Sequence, residues 1–192
     1  MQLIETPLKD CYIIENNIFK DERGYFLESF NHKKFSQLTG WEGYFVQDNQ
    51  SESTYGVVRG LHFQTGDSAQ AKLVRVIKGT VLDVAVDIRP ESPTFGQSFA
   101  VELSDKNEAQ LFIPRGFAHG FSVISPTATF FYKCDNYYNK ASEGGINPFD
   151  KDLGIDWKVP FEKALLSEKD TNSASWAQFW LSCNNSISTY IL

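Results

Sequence analysis

Apolar and polar positions alternate with a period of two along many short segments, which Gly, Pro, Asp and Asn separate. The clearest segment spans residues 80–89. Leu82, Val84, Val86 and Ile88 fall on one face; Val81, Asp83, Ala85 and Asp87 fall on the other. That second face mixes small apolar side chains with carboxylates, as expected for the lining of a pocket or for a polar surface. Residues 72–78 alternate in the same way, and Lys78-Gly79-Thr80 between the two segments predicts a tight hairpin turn. Further strands are predicted at 10–19, 25–30, 43–50, 56–64, 97–103, 109–113, 118–124 and 127–136. The predicted helices are short and mainly C-terminal, at 32–38, 161–166 and 173–180. Many short strands with little helix indicate a mostly-β antiparallel sandwich or barrel. No internal repeat or linker interrupts the pattern, so residues 1–192 read as a single domain. The tail from 171 onward diverges. Residues 183–192 follow a Trp-rich patch without turn or charge logic, and read as a docked or frayed end.

Composition sharpens this picture. Aromatic residues reach 15%, with sixteen Phe and eight Tyr, and that bias favours strands. The formal charge of −6 argues against a nucleic-acid or anionic-membrane surface. An anionic small molecule stays open as a partner, because a few convergent Arg and Lys side chains bind it whatever the global sign. Cys11, Cys134 and Cys183 form an odd set with no CxxC pair, which reads as reduced thiols. The first residues contain no apolar signal-like stretch, and no run approaches a membrane span. A soluble, cytoplasmic protein is expected.

Gly56-Val-Val-Arg-Gly-Leu-His-Phe-Gln64 places Arg59 and His62 in a run otherwise suited to a buried strand. A protonatable ring beside a fixed cation suits proton transfer on an anionic substrate. The competing reading is a structural strand histidine. On a regular strand Arg59 and His62 point to opposite faces. Either Gly60 marks a bulge that changes the register, or one residue faces the barrel interior while the other serves a neighbouring subunit's site.

The second informative segment is Leu111-Phe-Ile-Pro-Arg-Gly-Phe-Ala-His-Gly-Phe121. Its pattern Pro114-x-Gly116-x-x-His119 resembles the second motif of cupins, small jelly-roll barrels in which that histidine often binds metal. The first cupin motif has two histidines one residue apart and a nearby glutamate. Here Leu61-His62-Phe63-Gln64 offers one. Two imidazoles without a third ligand make a poor Zn or Fe site, so the spacing suggests a cupin-type barrel that works without metal.

A closer resemblance rests on segments that occur in order. They are Asp21-Glu-Arg-Gly24, Val46-Gln-Asp-Asn49, Val58-Arg-Gly-Leu-His-Phe-Gln64, Lys72-Leu-Val-Arg75 and Asp83-Val-Ala-Val-Asp-Ile-Arg89. Ser92-Pro-Thr-Phe-Gly96, Ile113-Pro-Arg-Gly-Phe-Ala-His-Gly-Phe121, Tyr132-Lys133, Asn136-Tyr-Tyr138 and Ser167-Glu-Lys-Asp170 follow. Together they resemble the dTDP-4-dehydrorhamnose 3,5-epimerases. The resemblance implies a metal-free and cofactor-free reaction on dTDP-4-dehydro-6-deoxy-D-glucose in a homodimer that exchanges edge strands and shares its active sites, which favours Arg59 and His62 serving the sites of different subunits. Protons leave carbon-3 and carbon-5, both α to the carbon-4 ketone, and return to the opposite faces. Such chemistry needs a base on one face of the sugar, a proton donor on the other and an electrophile at the enolate oxygen.

The resemblance assigns His62 as base, oriented by Asp170, with Lys72 supporting the enolate and Tyr132 as the returning acid. Tyr138 and His119 match residues that line the sugar pocket, and Glu143 joins them. Arg23 and Arg59 match pyrophosphate ligands, Gln47 and Asn49 match thymidine or ribose contacts, and Phe26 and Glu28 match further contributors. Each residue also has a plain structural alternative. His119 could satisfy backbone carbonyls, Lys72 could be a solvated cation, Tyr132 could be core, and Asp170 could cap the stretch that follows it. Rival functions are a single-carbon epimerase or isomerase of a related dTDP-4-ketosugar, and a non-catalytic sugar-nucleotide- or metal-binding cupin.

Overall fold

The structure, a computed structural model, describes residues 1–188, and the predicted frayed end falls partly outside them, at 189–192. In chain order the early strands are β1 (Gln2–Glu5), β2 (Tyr12–Glu15), β3 (Ile18–Asp21), β4 (Gly24–Leu27), β5 (Gln47–Thr54) and β6 (Val58–Gln64). The later ones are β7 (Lys72–Lys78), β8 (Thr80–Asp87), β9 (Ser98–Ser104), β10 (Gln110–Ile113), β11 (Phe117–Val123), β12 (Thr127–Cys134) and β13 (Glu143–Gly145). Helix α1 (His32–Thr39) precedes β5; α2 (Glu168–Thr171) and α3 (Trp176–Ser188) close the described chain.

Six strands form one sheet in the order β1-β2-β10-β7-β12-β5, and five form a second in the order β13-β6-β11-β8-β9. The two sheets face each other as a mostly-β jelly-roll barrel, with every strand pair antiparallel. The β3–β4 hairpin belongs to neither sheet. The alternation read from the sequence explains the layers. Val81 and Ala85 of β8 enter the core between the sheets with Val74, Val76, Phe121 and Phe130. Leu82, Val84, Val86 and Ile88 face outward and pack under the C-terminal segment with Ile146, Leu153 and Trp157. On the other sheet, Leu73 and Phe112 point outward beneath α1, against Phe35. Helix α1 is set by its ends: the Asn31 side chain accepts the Lys34 N–H, and Gly40 closes the helix with φ 70°.

Several boundaries differ from the sequence pattern. Lys78-Gly79-Thr80 is not a hairpin turn, because β7 and β8 lie in different sheets. Gly79 is the corner where the chain changes sheet, with φ 82°, and a Cβ there would lie 2.1 Å from the Thr127 carbonyl. The strand expected at 10–19 splits at Asn16-Asn17, and its two halves enter different sheets. The strand expected from 43 starts at Gln47, since Phe45 packs under α1 and Tyr44 stacks on His32. The helix expected at 161–166 shrinks to a 3₁₀ turn, Phe161–Lys163, because Leu165 leaves to bridge Val57. The helix expected from 173 begins at Trp176, where Ser175 and Gln178 cap each other: each side-chain oxygen accepts the other's backbone N–H.

Candidate active site

The inner faces of five strands change from apolar to polar at one end of the barrel. Lys72 shares the inward parity of Val74 and Val76, and Tyr132 shares that of Phe130 and Ala128. On β11, His119 lies between the inward Phe117 and Phe121. These groups open onto two cavities of about 180 and 160 Å³ that share His62, Lys72 and Tyr132. Gln47, Asn49, Tyr138 and Glu143 line the first; Arg59, His119, Phe121 and Phe130 line the second.

The parity conflict between Arg59 and His62 is resolved by a bulge. His62 pairs with His119 and Arg59 pairs with Phe121, so three steps on β6 match two on β11. Gly60 takes φ 131° there, and a Cβ would lie 2.5 Å from Gly120 Cα. Both side chains therefore reach the same cavity. Arg59 is held by Ser53, whose hydroxyl accepts its Nε–H at 3.2 Å.

His62 Nε2 lies 2.5 Å from Asp170 Oδ1. Asp170 does not cap the following stretch. It sits inside α2, whose own cap is the Ser167 hydroxyl, accepting the Asp170 N–H. Burial pushes the Asp170 carboxyl up, yet hydrogen bonds from His62, Ser167 and the Gly60 amide outweigh it and hold the group below its ordinary value. It is thus an ionised, nearly inaccessible partner for a half-buried ring.

His119 forms a second pair. Its Nε2 lies 3.0 and 3.1 Å from the two Asp83 oxygens, so a carboxylate, not backbone carbonyls, satisfies it. Burial lowers the His119 pKa, with Asp83 opposing that shift. Lys72 Nζ lies 5.9 Å above the centre of the Tyr132 ring, and desolvation lowers its pKa. Burial raises the Tyr132 phenol, which keeps it protonated, and pushes the adjacent Cys134 thiol up to about 11.

At the mouth, the Tyr138 hydroxyl donates to Glu143 at 3.0 Å, and Lys169 pairs with Glu143 across from α2. The Gln47 side chain accepts the Tyr138 N–H and donates to Asn49. Three expected residues stand apart. Arg23 pairs with Asp21 on the β3–β4 hairpin, Phe26 is 67% exposed on the same hairpin, and Glu28 pairs with Lys34. Asp83 and Lys169 were not singled out from the sequence as site residues. Asp83 was signalled by its carboxylate parity on β8, and Lys169 only by standing next to Asp170. Among the described residues no three His, Cys, Asp or Glu side chains cluster as a metal site, and no helix is long and apolar enough to cross a membrane.

The sequence and the fold have close counterparts. A family model for dTDP-4-dehydrorhamnose 3,5-epimerase matches residues 5–178. The chain is 53% identical over 172 residues to the dTDP-4-dehydrorhamnose 3,5-epimerase of Shigella flexneri, covering 90% of this chain and 94% of the relative. The crystal structure of the Elizabethkingia anophelis enzyme of that name is 59% identical with a TM-score of 0.90, covering 93% of this chain and 97% of that one. The dTDP-6-deoxy-D-glucose-3,5-epimerase of Legionella pneumophila, solved in complex with dTDP-4-keto-L-rhamnose, is 48% identical with a TM-score of 0.88, covering 93% and 96%. With these matches spanning nearly its whole length, the chain belongs to the dTDP-4-dehydrorhamnose 3,5-epimerase family.

Proposed function

We propose that the chain converts dTDP-4-dehydro-6-deoxy-D-glucose to dTDP-4-dehydro-L-rhamnose by epimerising carbon-3 and carbon-5. One observation carries the reading: an imidazole on β6, a phenol on β12 and an amine on β7 share one cavity wall to wall. With His62 Nε2 donating to Asp170, Nδ1 is left as the nitrogen that takes the α-proton. The electron pair moves onto the carbon-4 oxygen, where the Lys72 ammonium gains most as negative charge develops. Tyr132 gives its phenolic proton to the opposite face, and solvent restores both groups before the second carbon reacts. Removal and return of a proton leave the oxidation state unchanged, so the step balances without an electron acceptor.

Arg59, fixed by Ser53, is suited to the pyrophosphate, and Gln47, Asn49 and Tyr138 to the nucleoside at the mouth. His119, kept neutral by burial, tunes and holds the sugar from the inner end. The chain acts as a homodimer in which Arg23, Phe26 and Glu28 serve the partner's pocket. Support comes from the β3–β4 hairpin, which stands outside both sheets with Phe19, Tyr25 and Phe26 exposed. Sedimentation at the monomer mass would contradict that assembly. Turnover in deuterated water tests the chemistry: deuterium at both carbon-3 and carbon-5 is expected, and deuterium at one position alone would make this a single-carbon epimerase.

A further inference from the structure

The matched residues end at 178, and α3 continues beyond them. Its first turns pack through Trp176 and Phe179 against the outer cluster that holds Ile146 and Trp157. On one side it is fastened to the barrel: Asp150 accepts the Trp176 N–H at 2.8 Å, and the Trp176 and Trp180 rings lie 5.5 and 4.9 Å from that of Phe95. The loop bearing Phe95 is itself tied to buried Asp87, which accepts from Arg89, Ser92 and Thr94. On the other side Phe179 meets Phe63 edge to face, with centroids 5.5 Å apart and planes at 70°. Phe63 directly follows His62. Its ring covers Gly144 of β13, where a Cβ would fall 2.3 Å from it. The Asp170 segment reaches the same place, since Ser173 N–H donates to the Asp170 carbonyl and Asn147 N–H to the Ala174 carbonyl.

We propose that Phe179 is a positioning residue for the reaction. Backed by a helix fastened to the Asp87 loop, it presses Phe63 onto Gly144 and thereby fixes the His62 ring against Asp170. The inference rests on the His62–Asp170 base assigned above. An edge-to-face contact is directional, so without the ring Phe63 can turn and the base drifts from its partner. Small displacements of a reacting group cost rate far more than binding.

The test uses full-length protein carrying Phe179→Ala or Phe179→Leu, each alone and beside Asp170→Asn. Phe179→Ala is expected to lower kcat about tenfold with KM held within about twofold, and Phe179→Leu to recover most of the loss. Beside Asp170→Asn the same change should cost less than about twofold, because the contact it maintains is already gone. If the alanine variant does not fold, the leucine variant decides: a drop of about threefold must vanish beside Asp170→Asn. Unchanged kcat, or an equal drop in both backgrounds, overturns the proposal. A wild-type chain inactive on the ketosugar would instead remove the epimerase reading beneath it.

Discussion

Two His–Asp pairs lie at one end of this barrel, and they are built differently. His62 finds its carboxylate 108 residues away, on a short helix beside β6. His119 finds its partner 36 residues away on the neighbouring strand, where Asp83 pairs with Phe121 in register. The first ring keeps 32% of its side-chain surface accessible and the second 7%. An accessible ring can exchange a proton with a substrate; a ring sealed against its carboxylate partner fixes the shape of the wall instead. On the proposed reading the same two residue types serve as a base in one place and as part of the wall in the other, and solvent access separates them.

The comparison breaks most visibly at the proposed base itself. His62→Ala should lower kcat about 10⁴-fold while dTDP affinity, read by calorimetry, stays within about threefold. Unchanged turnover would remove His62 as the base. Next come the carboxylates. Asp170→Asn should cost about 10³-fold in kcat, because the amide no longer stabilises the imidazolium or sets its tautomer. Asp83→Asn should cost only about tenfold, and equal losses in the two variants would erase the distinction between the pairs. On the opposite wall, Tyr132→Phe should cut product formation about 10²-fold while leaving solvent exchange at carbon-5 less affected. Equal loss of both would mean that the phenol is not the returning acid.

The smallest effect concerns stability against pH. The Asp170 carboxyl is held below its ordinary value in the fold, so it contributes stability above the usual carboxylate range and loses it as pH falls through the lowered value. The unfolding free energies of wild type and Asp170→Asn should therefore converge in acid and separate toward neutrality. A constant difference across that range would show that the carboxylate is not paired in its charged form.

Much of the barrel was legible because its signal is local. The alternation over 80–89 sorts Val81 and Ala85 inward and the Leu82 to Ile88 set outward, as observed. What failed was non-local. A glycine between two alternating segments looks the same whether the strands pair or part into different sheets, and only the Thr127 carbonyl against Gly79 decides. The Arg59–His62 register turns on a bulge at Gly60, which parity alone posed as a question. His119 and Asp83 could have been joined by counting inward positions on β11 and β8. No count joins His62 to Asp170, whose partnership came only through family resemblance, nor Phe179 to Phe63, since it depends on how the tail docks.

The central claim is tested most directly by a crystal structure with a dTDP-4-ketosugar bound. The account predicts the sugar ring lodged between His62 and Tyr132, one on each face, with the carbon-4 oxygen about 3 Å from Lys72 Nζ. A sugar lodged outside that cavity, or with both side chains on the same face, would contradict it.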